Sequence, residues 1–302
     1  MPELPDVSLY IECLEQRCVG HPLQKLRIVG PSLLRSVDPP ISEAEGREVR
    51  GLRRLGKRIV FELDDAYFLV IHLMIAGRFR WKERGAKPSR KVGLAAFDFP
   101  TGTLLLTEAS TKKRAHLHLV CGQAALAEHD PGGLEVLEAP LDDFVARFTK
   151  ENRTLKRALT DPHILSGIGN AYSDEILHRA GLSPVQLTKN LDAPALEHLY
   201  HTIRGTLEEW LVRLREQTGD RFPEKVTAFR PEMAVHGRHG KPCPACGSKV
   251  QRIVYASNET HYCATCQTGG KLLADRALSR LLKKDWPKTL EELEEHKAAR
   301  RE

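Results

Sequence analysis

The chain has 302 residues, about twice the length of a typical domain, so two domains are the starting expectation. With 41% hydrophobic residues, 28% charged residues and a net charge of +6, the composition is globular and excludes wholesale disorder. No apolar run predicts a membrane span and no secretory signal is visible, so we expect a cytoplasmic protein whose seven cysteines are thiols or metal ligands.

The first part of the chain is predicted to be one helix followed by β-structure. Apolar residues at i, i+3, i+4 and i+7 between Asp6 and Arg17 predict a helix with one buried face. Short runs rich in leucine and β-branched residues, bounded by turn sequences, predict strands at 58–63, 67–73 and 103–107. The sequence DPGG at 130–133 is a strong break, which we interpret as the end of the first domain.

From Leu141 the pattern becomes helical. Helices are predicted at 142–148, 152–159, 173–180 and 195–216, followed by a polar loop at 218–232. The tail from Lys271 has an apolar helical face, so we expect a helix packed on the zinc hairpin or the helical domain, and then a frayed acidic and basic end. That face comprises Leu272, Leu273, Ala277, Leu278, Leu281 and Leu282.

The positive charge is concentrated in two stretches. Residues 50–60 contain five basic residues and no acid, and residues 221–254 contain seven basic residues and two acids. Clusters of this kind favour a polyanionic partner, and nucleic acid is the leading candidate. Basic strands and loops that simply face solvent are the alternative.

Four cysteines form two CxxC pairs separated by sixteen residues, and the segment between them predicts a β-hairpin. Two such knuckles complete a tetrahedron of thiolates around one Zn²⁺ and leave no open coordination position, so the metal is predicted to be structural. The predicted ligands are Cys243, Cys246, Cys263 and Cys266. The remaining three, Cys13, Cys18 and Cys121, have no partner pattern and are expected to be buried or half-buried thiols.

The N-terminus carries the elements of an amine nucleophile. A small residue at position 2 favours removal of Met1, which exposes the secondary amine of Pro2 beside the carboxyl of Glu3. A free α-amino group titrates near about 7.7–8.0, so part of it is neutral at pH 7 and can attack a sugar aldehyde carbon. On these residues alone, a disordered N-terminus is the alternative.

Motifs along residues 1–266 together resemble the formamidopyrimidine-DNA glycosylase and endonuclease VIII family. The chain begins MPELPDV where the family has MPELPEV, and the cysteine hairpin matches the family's zinc finger. Three internal motifs also match, LGKR at 55–58, HLMIAG at 72–77 (family HLGMSG) and GIGNAYSDEIL at 167–177 (family GIGNIYADE).

The resemblance implies an α+β multidomain fold. We expect a β-sandwich at 1–132, a helical helix–two-turn–helix domain at 133–231, a zinc-finger β-hairpin at 232–270 and a C-terminal extension at 271–302. DNA is expected in a basic cleft, with the damaged nucleotide flipped out of the duplex. The implied partners are damaged DNA and one structural zinc ion per chain, with no membrane, for a monomer in the bacterial cytosol or nucleoid.

The resemblance also assigns roles to four residues. Pro2 attacks the sugar C1′ and displaces the damaged base, and the resulting protonated Schiff base permits strand cleavage by β-elimination. Glu3 protonates the sugar ring oxygen. Lys57 holds a phosphate and assists proton transfer, and Asn170 contacts the DNA backbone.

Several positions depart from the family pattern. Asp6 replaces a glutamate and is expected to lose its direct contact near the nucleophile or to make it through water. Ile75 stands where the family has a void-filling methionine, and Lys113 or Arg114 replaces its Arg-Phe wedge. Asn258 replaces a phosphate-binding arginine of the zinc finger, for which Arg252 on the opposite strand is the candidate substitute.

The leading hypothesis is therefore a bifunctional DNA glycosylase and abasic-site lyase that removes oxidised bases. A second hypothesis is a family member that binds damaged or abasic DNA with weak or no turnover, suggested by the departures. A third, an RNA-binding or transcription-associated zinc-ribbon protein, explains the cysteines and the charge but not the N-terminus.

Overall fold

The computed structural model describes residues 1–224, 226–255, 258–274 and 286–298. The chain divides into two compact units. The first comprises Met1–Gly133 and Leu207–Thr227, and the second comprises Leu134–Thr206 and Ala228–Glu302. The boundary between the two units thus lies at the end of the DPGG sequence. The later segment Leu207–Thr227 belongs to the first unit.

The first unit begins with helix α1, Leu4–Cys18, which is longer than predicted. Val7, Tyr10, Ile11 and Leu14 are all buried, so the apolar face predicted by the i, i+3, i+4, i+7 spacing is the face that packs on the core. The helix ends where Val19 adopts extended backbone angles. Short 3₁₀ turns (Pro31–Leu33, Ile41–Ala44, Asp64–Ala66) and a short helix α2 (Gln123–Ala127) connect the strands around it.

Eight strands of the first unit form two four-stranded antiparallel sheets, in the orders β2-β3-β4-β8 and β1-β6-β7-β5. The strands are β1 Lys25–Ile28, β2 Val49–Leu55, β3 Arg58–Leu63, β4 Tyr67–His72, β5 Gly77–Lys82, β6 Gly93–Phe99, β7 Gly102–Glu108 and β8 His116–Cys121. Phe61 from one sheet and Phe97 from the other lie in the same apolar core, with parallel rings 6.3 Å apart. This arrangement confirms the predicted β-sandwich.

The second unit is helical with a small hairpin. Its helices are α3 Leu141–Thr149, α4 Leu155–Thr160, α5 Asn170–Arg179, the first part of α6 Ala193–Thr218, α7 Ala264–Thr268 and α8 Leu290–Ala298, with a 3₁₀ turn at Thr188–Asn190. Strands β9, Gln251–Tyr255, and β10, Asn258–Tyr262, pair in antiparallel register. The helices predicted from periodicity are present, with ends that differ by one to three residues.

The prediction for the C-terminal tail is partly wrong. The acidic and basic end was expected to fray, yet Leu290–Ala298 forms helix α8, and the tail contacts the zinc hairpin. Leu272 N donates to Lys288 O at 2.8 Å, Leu273 N donates to the Tyr262 hydroxyl at 2.8 Å, and Lys249 pairs with Glu294 at 3.0 Å. Most of the helix predicted at 272–282 falls on residues 275–285, outside the described part.

Among the described residues, none of the helices has the length and apolar character required to cross a membrane.

Candidate active site and DNA-binding elements

The start of α1 holds Glu3 in a fixed place. The Glu3 backbone N–H donates to Asp6 Oδ2 at 3.0 Å, and the Glu3 side chain accepts from the Asp6 backbone, which is a reciprocal capping box. Glu3 is 2% exposed and Asp6 1% exposed. The expectation that Asp6 loses its direct contact is therefore wrong: the shorter side chain still reaches the backbone next to Pro2, because it lies only one helical turn away.

The N-terminal amine, carried by Met1 directly before Pro2, lies among four charges. Burial lowers the pKa of this amine, and Arg78 and Lys57 lower it further, whereas Glu3 and Asp6 raise it. Pro2 itself is buried. The charges of Glu3 and Lys57 thus both act on the amine at the start of the chain. Arg78 also acts on it, a residue that the sequence reasoning missed because a lone arginine in a strand carries no motif.

Lys57 lies at the tip of the hairpin between β2 and β3. Leu55 and Arg58 pair across this hairpin, so Gly56 and Lys57 are its two central residues. Gly56 has φ +62°, the left-handed value that the first central position of a II′ turn requires. The Gly-Lys sequence therefore fixes a tight turn that carries Lys57, whose charge acts on the N-terminal amine.

The turn between β4 and β5 presents Ile75. Met74 has φ +51°, an unfavourable conformation for a residue with a side chain, at the position where the related motif has glycine. Its N–H donates to His72 Nδ1 at 3.0 Å. Burial, with Arg58, His116 and Lys57 nearby, lowers the pKa of His72 to about 3, so the ring is neutral and can accept this bond. Ile75 is 57% exposed beyond this turn.

Glu108 fixes the loop that contains Lys113 and Arg114. The Glu108 carboxylate is buried and accepts from Arg114 N at 2.9 Å and from Ala115 N at 3.1 Å. The ammonium of Lys113 donates to the backbone carbonyl of Glu108, so this side chain turns back on its own loop. Arg114 is exposed. Of the two candidates for the wedge, Arg114 is thus the one that extends into solvent.

In the second unit, Asn170 begins α5 after the GIG turn, in which Gly167 has φ +81°. Its amide Nδ2 donates to Glu259 O of β10 at 2.9 Å, and its own carbonyl accepts from Lys156 Nζ at 2.7 Å. The residue is therefore held on two sides. It lies at the N-terminus of a ten-residue helix, where backbone N–H groups favour an anion.

A buried polar network lies next to Asn170, and the sequence reasoning missed it. Asp174 is fully buried and binds Lys156 Nζ at 2.5 Å and His236 Nδ1 at 2.7 Å. Burial alone would raise the pKa of Asp174, but Lys156, His236 and His261 hold it well below its ordinary value. The neighbouring Glu175 accepts three backbone N–H groups, those of residues 234–236, at 2.7–2.9 Å.

Asp174, His236 and His261 are close enough to be considered as metal ligands. However, the 2.7 Å between Asp174 and His236 is a hydrogen-bond distance, shorter than the spacing of two ligands on one ion, and Lys156 already neutralises the carboxylate. We therefore interpret this group as a buried network of ion pairs and hydrogen bonds centred on Asp174.

The four predicted cysteine ligands fit one zinc ion. Their sulfur atoms all lie within 4.8 Å of one another, with Cys246 and Cys263 at 3.4 Å and Cys243 and Cys266 at 4.0 Å. Zinc–sulfur bonds of about 2.3 Å in a tetrahedron require spacings near these values. His178 Nε2 lies 3.2 Å from Cys243 Sγ, a contact that can orient this ligand. A structural zinc site is therefore confirmed.

The zinc hairpin carries one exposed arginine that is paired with a glutamate on the neighbouring strand. Arg252 on β9 forms an ion pair with Glu259 on β10 at 3.0 Å, and both side chains are more than 40% exposed. A phosphate could replace Glu259 as the partner of Arg252. The side chain of Asn258 lies outside the described part of the structure.

The first basic cluster is less positive than its sequence indicates. Arg50 pairs with Glu48 and Asp64, and Arg53 pairs with Glu62 at 2.8 Å. The prediction from residues 50–60 missed these acids because they come from before the cluster, from strand β3 and from the turn after it. One thiol prediction is also wrong: Cys121 is exposed, whereas Cys13 and Cys18 are buried.

Three family models match the chain. Residues 1–132 match the formamidopyrimidine-DNA glycosylase N-terminal domain, residues 133–220 its H2TH domain, and residues 240–269 a zinc finger found in FPG and IleRS. The formamidopyrimidine-DNA glycosylase of Geobacillus kaustophilus is 32% identical over 278 residues, covering 88% of this chain and all of the relative. An uncharacterized formamidopyrimidine-DNA glycosylase-like protein of Mycobacterium tuberculosis is 38% identical over 151 residues, covering 50% of this chain and 94% of the relative.

Solved structures with bound DNA are also similar. The complex of Lactococcus lactis Fpg with abasic-site DNA has a TM-score of 0.77 at 25% identity, covering 88% of this chain and 99% of that one. The complex of MutM with DNA containing carbocyclic 8-oxo-G has a TM-score of 0.77 at 26% identity, covering 88% and 100%.

Proposed function

This chain belongs to the formamidopyrimidine-DNA glycosylase family, and we propose that, as a DNA glycosylase of base excision repair, it removes oxidised bases and then cleaves the abasic site through an amine at Pro2. The observation that supports the proposal is that the charges of the buried Glu3 and of Lys57 both act on the partly buried N-terminal amine. The DNA bound by its structural relatives gives the substrate class, and we place its action in the bacterial cytosol or on the nucleoid.

The chemistry balances with these groups alone. After removal of Met1, the neutral Pro2 nitrogen forms a bond to C1′ of a flipped nucleotide, the C1′–N bond to the damaged base breaks, and the proton of the amine passes to the departing base. Glu3 gives a proton to the ring oxygen as the ring opens, which leaves an iminium between Pro2 and C1′. The carboxylate of Glu3 then takes a proton from C2′, the iminium accepts the electron pair, and the 3′ phosphate leaves.

The contacts described above suggest roles for the remaining residues. Lys57, on its tight turn, holds the phosphate near C1′. Ile75 and Arg114 project from turns of the first unit and enter the space left by the flipped nucleotide. Asn170 and Arg252 bind phosphates from the second unit, and Asn258 adds a neutral contact at the hairpin tip.

Borohydride trapping with abasic-site DNA tests the proposal. Untagged protein whose N-terminus begins at Pro2, verified by mass spectrometry, should give a covalent protein–DNA adduct. Pro2→Gly should reduce trapping strongly, and Glu3→Gln should slow base release more than binding. Lys249→Met, an exposed change outside the proposed machinery, serves as the matched control and should behave as wild type.

The competing function is damage recognition with little turnover. It is favoured by Asn258 in place of a family arginine and by the pairing of Arg252 with Glu259. Tight, salt-sensitive binding to abasic DNA without an adduct or a cut strand would support this alternative over the lyase.

A further inference from the structure

We infer that the crossover from β5 to β6, residues 83–92, is a further DNA contact of the first unit, which binds the phosphates of the duplex beside the lesion. The inference rests on the proposed function, which supplies the DNA. It concerns a segment to which neither the sequence motifs nor the proposed machinery assigns a role.

The crossover carries exposed positive charge that no acid neutralises. It contains four basic residues, Arg84, Lys87, Arg90 and Lys91, and one acid, Glu83, and all five side chains are exposed. None of the four cations forms an ion pair with another described residue. Ten residues therefore present a net charge of +3 to solvent.

The basic stretch at 50–60 differs in this respect. Arg50 and Arg53 are both bound to carboxylates of neighbouring residues. An arginine in an ion pair has to exchange its carboxylate for a phosphate, so it gains less from DNA than a cation that is only hydrated. The crossover is therefore the stronger candidate for phosphate binding, although the sequence analysis placed the charge of this unit at 50–60.

The crossover runs along the sheet toward the end that carries the proposed wedge. β5 and β6 lie on opposite sides of β7 and both pair with it in antiparallel register, so the chain between them returns along the sheet. β5 ends opposite Thr103 and β6 begins opposite Thr107, about 13 Å along β7. At that end, Val92 O accepts from the N–H of Glu108, the residue that fixes the Arg114 loop, at 2.8 Å. The cations thus form a row that leads away from this loop.

The backbone of the crossover is held at several points. Ala86 O accepts from Arg27 Nη2 at 2.8 Å, and the same guanidinium is paired with Asp98 at 2.7 Å. Ser89 O accepts from Gly93 N at 2.8 Å, in a turn so tight that a Cβ on Gly93 would lie 2.5 Å from this oxygen. The basic side chains therefore project from an ordered backbone, which lowers the entropy cost of binding.

The spacing and chemistry of the row favour duplex DNA. One DNA strand presents a phosphate every 3.4 Å or so along the helix axis, so about 13 Å accommodates about four phosphates, one for each cation. Proteins that bind single strands add exposed aromatic side chains on which the bases stack. The crossover contains no aromatic residue, and the preceding Trp81 is half-buried against Phe99, with ring centroids 6.1 Å apart. Its contacts are therefore to phosphates and independent of the base sequence.

The test is the salt dependence of binding to an undamaged duplex, measured by fluorescence anisotropy between about 50 and 200 mM salt. Each phosphate contact contributes about 0.9 to the slope of log K against log salt. We expect Lys87→Gln with Arg90→Gln to reduce the slope by about 1–2, so that its deficit relative to wild type shrinks roughly fourfold to sixteenfold over this range.

Two variants serve as matched controls. Arg50→Gln with Arg53→Gln removes the same charge from paired positions of the same unit and should keep a slope close to that of wild type. Lys87→Arg with Arg90→Lys keeps both charges and should keep the wild-type slope. All four positions are exposed, so each variant should melt at the wild-type temperature, which verifies that a weak binder is folded.

Three outcomes overturn the inference. One is an unchanged slope in Lys87→Gln with Arg90→Gln. The second is an equal reduction in the Arg50 and Arg53 variant, which indicates an effect of net charge alone. The third is a larger reduction on single-stranded DNA of the same sequence than on the duplex. If wild type binds the duplex but gives no adduct in borohydride trapping, the proposed lyase function fails, and the slopes still decide the role of the crossover.

Discussion

The most direct test of the second unit is removal of the buried charge at Asp174. This carboxylate is fully buried and binds Lys156 Nζ at 2.5 Å, and the lysine side chain is itself only 12% exposed. Asp174→Asn preserves the shape and most hydrogen-bonding capacity, but it leaves the Lys156 ammonium without its charge partner in a site with little water. The expected effect is therefore that of an uncompensated buried charge.

Breaking a buried ion pair from one side costs about 3–5 kcal/mol. The second unit contains about 150 residues, for which each kcal/mol lowers the melting temperature by roughly 2–4 °C. We therefore expect Asp174→Asn to lower the melting temperature by about 6–12 °C, taking the smaller cost because asparagine retains a hydrogen bond to His236. The pair Lys249 and Glu294 is half exposed, so Lys249→Met should cost less than about 1 kcal/mol.

The assay is a double-mutant cycle by thermal and urea unfolding. Lys156→Met should also destabilise the protein, but the double variant Asp174→Asn with Lys156→Met should recover most of the loss, because no unpaired charge remains. Strictly additive effects, or an Asp174→Asn variant as stable as Lys249→Met, would refute the assignment of a buried ion pair at this site.

Three further predictions concern other parts of the molecule. Met74→Gly should raise stability by up to about 1 kcal/mol, since glycine relieves the left-handed backbone, whereas Met74→Ala should give no gain in thermal unfolding. Cys246→Ser should abolish the one equivalent of zinc found by metal analysis and lower the melting temperature, and a chelator should do the same to wild type; unchanged melting would argue against a structural metal. Arg114→Ala should weaken binding to lesion DNA and to undamaged DNA unequally, because its proposed contact exists only where a base is flipped, so equal weakening in a fluorescence titration contradicts that role.

Local sequence rules predicted much of the fold. The spacing on α1 identified four residues that face the core. The two CxxC pairs identified all four metal ligands. In each case the information lies within a few residues, where backbone geometry alone relates sequence to structure.

Contacts between distant segments could not be predicted in this way. The basic stretch at 50–60 was interpreted as a cluster of unpaired positive charges. Its acidic partners follow it in the sequence, and the folded hairpin brings Glu62 to Arg53 and Asp64 to Arg50. Lys156 meets Asp174 eighteen residues later, and Arg78 meets Val226 from the far end of the chain. No periodicity or motif encodes such pairs, because tertiary packing alone brings them together.

The buried acids show why a charge count understates how the site is built. Five acidic residues of the described chain are almost completely buried, and each accepts hydrogen bonds that hold a proposed functional segment: Glu3 and Asp6, Glu108, Asp174 and Glu175. A buried carboxylate is costly unless its oxygens are satisfied, so each one is stable only while its segment keeps the observed conformation. These acids contribute −5 to the net charge but present almost no negative surface to DNA. These residues therefore hold the start of α1, the Arg114 loop, Lys156 beside Asn170 and the segment at 234–236, and their charges are not presented to DNA.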